Sequence, residues 1–153
     1  MDPVPAAPAS TPDAELRAVL LDEAAPMFER YRALFALRNR GGASVAPLLA
    51  DVLATSGSSL LKHEVCYVLG QLQEACASAA LVRTLDDSAQ HAMVRHEAAE
   101  ALGSIAGPGC RPQLERHLAD PDPVVAEGCL VALDILEYEQ SGAFEYCEVL
   151  EHC

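Results

Sequence analysis

The chain has 153 residues, a formal net charge of −13 and 51% hydrophobic residues, with no Trp and 5% aromatics. That length suffices for one well-buried domain. The charge argues against a nucleic-acid partner, which would need clustered Lys and Arg, and no apolar run approaches the roughly 18 residues of a membrane helix.

Ala and Leu supply the apolar content, which favours helices over a β-sandwich, so the fold class is read as all-α. Residues 1–12, "MDPVPAAPASTP", hold four prolines and lack the basic-then-apolar layout of a signal peptide. They read as a disordered Pro/Ala-rich tail or linker, and residues 13–153 as the folded domain. A leading helix follows, "DAELRAVLLD", cut by Pro26.

Four segments then align without gaps: "ERYRALFALRN", "LKHEVCYVLGQ", "VRHEAAEALGS" and "VAEGCLVALDI". Their equivalent leucines are Leu37, Leu69, Leu102 and Leu133, at steps of 32, 33 and 31 residues. A period of this size means stacked supersecondary units. In the second segment Leu61, Val65, Val68, Leu69 and Leu72 form one apolar stripe of a helix. Val94, Ala98, Ala101, Leu102 and Ile105 repeat that spacing, and so do Val125, Cys129, Ala132, Leu133 and Leu136. The first segment has Glu29 and Arg40 at the stripe's ends, as a terminal repeat with a wetter edge would.

Each segment is followed by a partner helix: "SVAPLLADVLAT", "ACASAALVRTLDD", "GCRPQLERHLAD" and "AFEYCEVLEH". Gly41-Gly42, Gly57, Gly107-Pro108-Gly109 and Gly142 punctuate them, and "DPDPVV" places Asp and Pro where a helix begins. The architecture is therefore an α-α solenoid of about four helix pairs plus a leading helix.

Two of the four units carry a His-Glu pair at one register: His63-Glu64 and His96-Glu97, 33 residues apart. With about 100° per residue, His63 falls at about 200° from Leu61, almost opposite the core, and Glu64 about 85° from the stripe's centre. The other two units have Tyr31-Arg32 and Glu127-Gly128 there, so packing does not require the pair. Equivalent helices of consecutive units sit about 8–10 Å apart. Two imidazoles can converge across that gap on one ion, with a Glu as third donor. Two nitrogens and one carboxylate oxygen suit non-haem Fe(II), and zinc accepts the same donors. Glu100, one turn from His96, is a candidate to support these ligands. Cys66 reads as helix filling, and His91, His117 and His152, without partners at useful spacing, as surface residues. The six cysteines include no C-x-x-C and read as reduced thiols of a cytoplasmic chain.

"KHEVCYVLGQLQ" and "VRHEAAEALGSIA", with "FERYRALFALRN" and "VALDILEYEQSGAFEY", resemble the C-terminal half of the deoxyhypusine hydroxylases, from about Asp13 to Tyr146. The resemblance implies repeats of the HEAT type in two similar halves, each with two His-Glu pairs, around a di-iron centre. It implies hydroxylation of the deoxyhypusine side chain of a translation factor to hypusine, with molecular oxygen as oxidant. Carried over, His63, His96 and Glu97 are Fe(2+) ligands, and Glu64 holds the cationic amine of the substrate. A complete site has two irons, one expected per chain here. This chain has two pairs where the family pattern has four, so a second His-Glu half is expected from a homodimer or a separate chain. The alternative is a catalytically inactive HEAT-repeat scaffold that binds proteins.

Overall fold

Residues 4–142 are described by the structure, a computed structural model. Among them are eight α-helices and no strand: α1 Asp13–Leu21, α2 Met27–Arg40, α3 Val45–Thr55, α4 Ser59–Leu72, α5 Ser78–Asp86, α6 Ala92–Ile105, α7 Cys110–Arg116 and α8 Pro123–Ser141. A 3-10 turn, Ala75–Ala77, leads into α5.

Local chemistry explains where these helices start and stop. Pro12 and Pro26 occupy the N-cap positions of α1 and α2, where a missing N–H costs nothing. The side chains of Ser58, His91 and Asp122 accept a backbone N–H in the first turns of α4, α6 and α8. Gly41 and Gly142 end α2 and α8 with positive φ. Gln73 and Ala106 take the left-handed position after α4 and α6, so Ala106 rather than the expected Gly107 turns the chain there.

α2, α4, α6 and α8 pack consecutively against one another, while α1, α3 and α5 line up behind them and α7 closes on α8. This is the stack of helix pairs that the period predicts, with α1 in the leading place. The second helix expected for the fourth unit, at 143–152, lies outside the described residues. Most of the stripe is buried as expected, Leu61, Val65, Val68 and Leu69 in α4 and Val94, Ala98, Ala101 and Leu102 in α6, while Leu72 and Ile105 at its ends are half-buried. In α8 Val125, Cys129, Ala132 and Leu136 are buried and Leu133 half-buried. Glu29 and Arg40 are exposed, the wetter edge of the first unit. Ahead of α1 the chain runs over α2: Ala7 N–H donates to the Arg32 carbonyl at 2.9 Å, and Val4, Ala6 and Ala7 pack partly buried on the core.

Two features set the spacing between units. Gly70 of α4 faces Ala101 of α6, where a Cβ would come 3.0 Å from the Ala101 Cα. Gly103, the same register one unit on, faces Ala132 of α8, where a Cβ would run into the backbone. Glycine at these points lets consecutive helices approach closely. The second feature is a row of basic residues one position before the His register. Arg30, 2% exposed, donates Nε and Nη2 to the Leu20 carbonyl at 3.0 and 2.7 Å. Arg95 donates Nε to the Leu85 carbonyl at 2.8 Å. Each guanidinium thus satisfies a carbonyl in the last turn of the preceding helix of the rear layer, where the helix dipole favours a cation. Lys62 holds the intervening position and donates to Gln90 at 3.1 Å. Arg30, Lys62 and Arg95 are spaced by 32 and 33 residues. That periodicity is visible in the sequence, but it reads as solvated charge until burial is known.

Candidate metal centre

His63 stands on the half-exposed face of α4, opposite the buried stripe, and His96 on the same face of α6. Their side chains meet acids differently. His63 Nε2 lies 3.2 Å from Glu97 Oε2, across the boundary between two units, and its Nδ1 lies 4.0 Å from Glu64 Oε2. His96 Nε2 lies 3.1 Å from Glu100 Oε1, one turn along its own helix, and its Nδ1 lies 3.3 Å from the Val124 carbonyl oxygen of α8.

One ligand atom each from His96, Glu97 and Glu100 falls within 4.8 Å of the others, a grouping compatible with a metal ion. Glu97 joins this group to His63. The structure therefore groups His96 and Glu97 with Glu100 rather than with His63, which touches the group through Glu97 and has Glu64 beside it. It also sets Glu100 directly against the His96 ring, closer to the donors than a supporting role one turn away suggested.

The electrostatics of the cluster favour a cation. Glu97 has its side chain 11% exposed. Burial pushes its carboxyl up to about 7, the neighbouring Glu100 and Glu64 charges push the same way, and His96 opposes them. Three carboxylates share this face with two imidazoles. A cation placed among them would relieve the repulsion that now favours a proton on Glu97. The donors are nitrogen and carboxylate oxygen, a set that suits Fe(II) and zinc alike.

The unit-one position equivalent to His63 also takes part. Burial and the Glu64 charge push the Tyr31 phenol up, while its hydroxyl donates to the Leu60 carbonyl at 3.5 Å. In sequence Tyr31-Arg32 served only as a unit without the pair; the diagonal relation between units was not legible there. Cys66 is buried, as helix filling is, and burial raises its thiol. Cys76, Cys110 and Cys129 are free thiols, and Cys147, His152 and Cys153 lie outside the described residues.

His117 corrects the surface reading. Its Nε2 lies 2.7 Å from Asp86 Oδ1 and its Nδ1 3.2 Å from Asp120 Oδ2. Asp120 is in turn held by Arg95. The partners come from the end of α5 and the turn before α8, and residues 117–119 form a turn where a longer α7 was expected. Asp86 lies 31 residues back in the chain, beyond any helical spacing.

Comparisons with known proteins agree with this architecture. The family model of the PBS lyase HEAT-like repeat matches residues 94–120. Mouse deoxyhypusine hydroxylase (Mus musculus) is 55% identical over 148 residues, which are 96% of this chain and 49% of the mouse protein. The human protein of that name is 53% identical over the same length, again 49% of its own, and a rice (Oryza sativa subsp. japonica) deoxyhypusine hydroxylase-B is 50% identical over 147 residues, 48% of its own. A solved structure of human deoxyhypusine hydroxylase superposes with a TM-score of 0.85 and 52% identity, covering 90% of this chain and 47% of that one. The chain spans about half the length of the curated relatives it matches.

Proposed function

We propose, from the homology of this chain to about half the length of the deoxyhypusine hydroxylases, that it supplies one His-Glu half of a deoxyhypusine monooxygenase. Residues 13–153 act as its HEAT-like domain, with residues 1–12 as a Pro/Ala-rich tail or linker ahead of it. The substrate is the deoxyhypusine side chain of a translation initiation factor in the cytoplasm. A second half, from a homodimer or a separate chain, brings the complete site to two Fe(2+), one on each half.

What supports this reading most is a single observation: His63 and His96, on consecutive helices, meet Glu97 and Glu100 in one negatively charged cluster. In the proposal His63, His96 and Glu97 hold the iron. Fe(2+) held there would supply oxygen activation, in which one oxygen atom would enter a substrate C–H bond and the other would leave as water, with two electrons from a reductant and two protons. Glu64, beside His63, pairs with the substrate's cationic amine. Glu97 gives up its proton to become a ligand, and Glu100, beside the same His96 nitrogen, adds negative charge next to the ion. The helices hold all five residues on one face, which limits the motion a substrate carbon has relative to them.

The test is metal content per chain and solution mass after anaerobic Fe(2+) loading, followed by oxygen-dependent hydroxylation of the deoxyhypusine-bearing factor. His63→Ala and His96→Ala are expected to abolish both metal retention and hydroxylation with far-UV circular dichroism unchanged. Full metal retention in both variants would overturn the reading. An intact monomer that retains no transition metal under these conditions would favour the inactive scaffold.

A further inference from the structure

The fourth unit carries Glu127-Gly128 where the second and third carry His-Glu. Gly128 is buried within α8, directly against the His96 ring. A Cβ there would lie 2.5 Å from His96 Nδ1, 3.1 Å from its Cγ and 3.3 Å from its Cα. The ring in this pose and a side chain at 128 exclude each other. Gly128 is absent from the positive-φ residues, so the backbone does not ask for glycine; the space does. Glycine inside a helix is otherwise unfavourable.

Val124, one turn before Gly128, supplies the second half of the seat. Its carbonyl oxygen lies 3.3 Å from His96 Nδ1. A carbonyl only accepts, so the hydrogen of that bond sits on Nδ1. The other nitrogen, Nε2, points to Glu100 and the Glu97 cluster. A backbone carbonyl on one ring nitrogen commonly decides which nitrogen is free for a metal. The same diagonal operates at both unit boundaries: His63 faces Glu97, and His96 faces Gly128.

We propose that the unit without a His-Glu pair is part of the metal centre as its positioning element. Gly128 opens the seat for the His96 ring, and the Val124 carbonyl holds its Nδ1–H, leaving Nε2 as the ligand atom. The ligand role rests on the metal reading above; the seating of the ring does not.

The full-length chain with 15N-labelled histidine, titrated with Zn(2+) as a diamagnetic probe, tests this. Two-dimensional 15N–1H spectra should show His96 Nδ1 bearing hydrogen throughout and the Nε2 resonance moving as the metal binds. Gly128→Ala should lower Zn(2+) affinity by about 10- to 100-fold. Thermal melts of a double-mutant cycle separate seat from fold: Gly128→Ala should lower the melting midpoint when His96 is present and raise it in His96→Ala, where alanine's helix preference acts unopposed. Equal losses in both backgrounds, a metal bound through Nδ1, or unchanged Zn(2+) affinity in Gly128→Ala would overturn the proposal. A parent chain that binds no Zn(2+) but shows the sign reversal and a protonated Nδ1 keeps the seat and defeats the metal reading.

Discussion

His63 of α4 meets Glu97 of α6 at 3.2 Å, so this His works with the acid of the following unit rather than with its own sequence neighbour, whereas His96, which faces Gly128 in the unit after it, meets Glu100 of its own helix. Glu64, adjacent in sequence, is 4.0 Å from the other ring nitrogen. The motif is a pair in the chain and a diagonal in space. One consequence is a strong coupling between His63 and Glu97. His63→Ala and Glu97→Ala should each cost at least about tenfold in Zn(2+) or Fe(2+) affinity, and the double variant should be little worse than the weaker single one. Additive losses in a metal titration would contradict a shared ion.

The buried Glu97 carboxyl makes the metal-free protein pH-sensitive. Its folded value is about 7 against 4.5 for the free side chain, so the native state binds the proton more tightly. Below 4.5 both states are protonated and stability is unaffected. As pH rises from 4.5 through about 7, the unfolded state ionises first and stability is lost. Glu97→Gln should therefore raise the thermal midpoint of chelator-treated protein at about pH 8 and leave it nearly unchanged at about pH 4. Metal affinity should show the converse trend and tighten as pH passes 7, because the ligand must be ionised.

The close approach at the glycines governs the spacing of the site. Gly70→Ala and Gly103→Ala insert a methyl against the backbone of Ala101 and Ala132 respectively. Each should cost about 1–3 kcal/mol of stability, read from denaturant melts, as overpacking does. Gly70→Ala lies between α4 and α6, the two helices that bear the histidines, and should weaken metal binding as well. Full affinity in that variant would show that the site tolerates a wider gap.

A second electrostatic lock lies at the rear of the stack. Arg95 donates to Asp120, whose side chain is nearly buried, and holds its carboxyl down to about 2 from 3.8. A lowered acid contributes stability above its unfolded value and loses it as pH falls through the folded one. Acid unfolding should therefore have a component between about pH 4 and pH 2 that disappears in Asp120→Asn. Asp120→Ala should cost about 3 kcal/mol, since Arg95 is left buried without its anion. Urea melts at neutral pH measure this directly.

Much of the fold was legible because the period and the 3.6-residue stripe are local properties of the chain. Leu61, Val65, Val68 and Leu69 and their equivalents in α6 are buried where their spacing placed them. The outward face of His63 and His96 followed from the same rotation. The roles of Arg30, Arg95 and His117 were not legible, because charged residues at helical intervals look the same whether solvated or paired. Partners such as Leu20, Leu85 and Asp86 lie ten or more residues away, although Asp120, the other partner of His117, lies only three residues on.

By itself the sequence determined that the chain is an α-α stack and that two of its units differ chemically from the others. Hydrophobic periodicity suffices for this, since burial of one helix face is decided residue by residue along the chain. Only the tertiary structure decided which acid each histidine meets, and that Gly128 of a unit without the pair lies against one of the rings. The stagger between packed helices, set where Gly70 and Gly103 allow backbones to touch, shifts each His onto the acid position of the next unit. No spacing within a single helix encodes that offset.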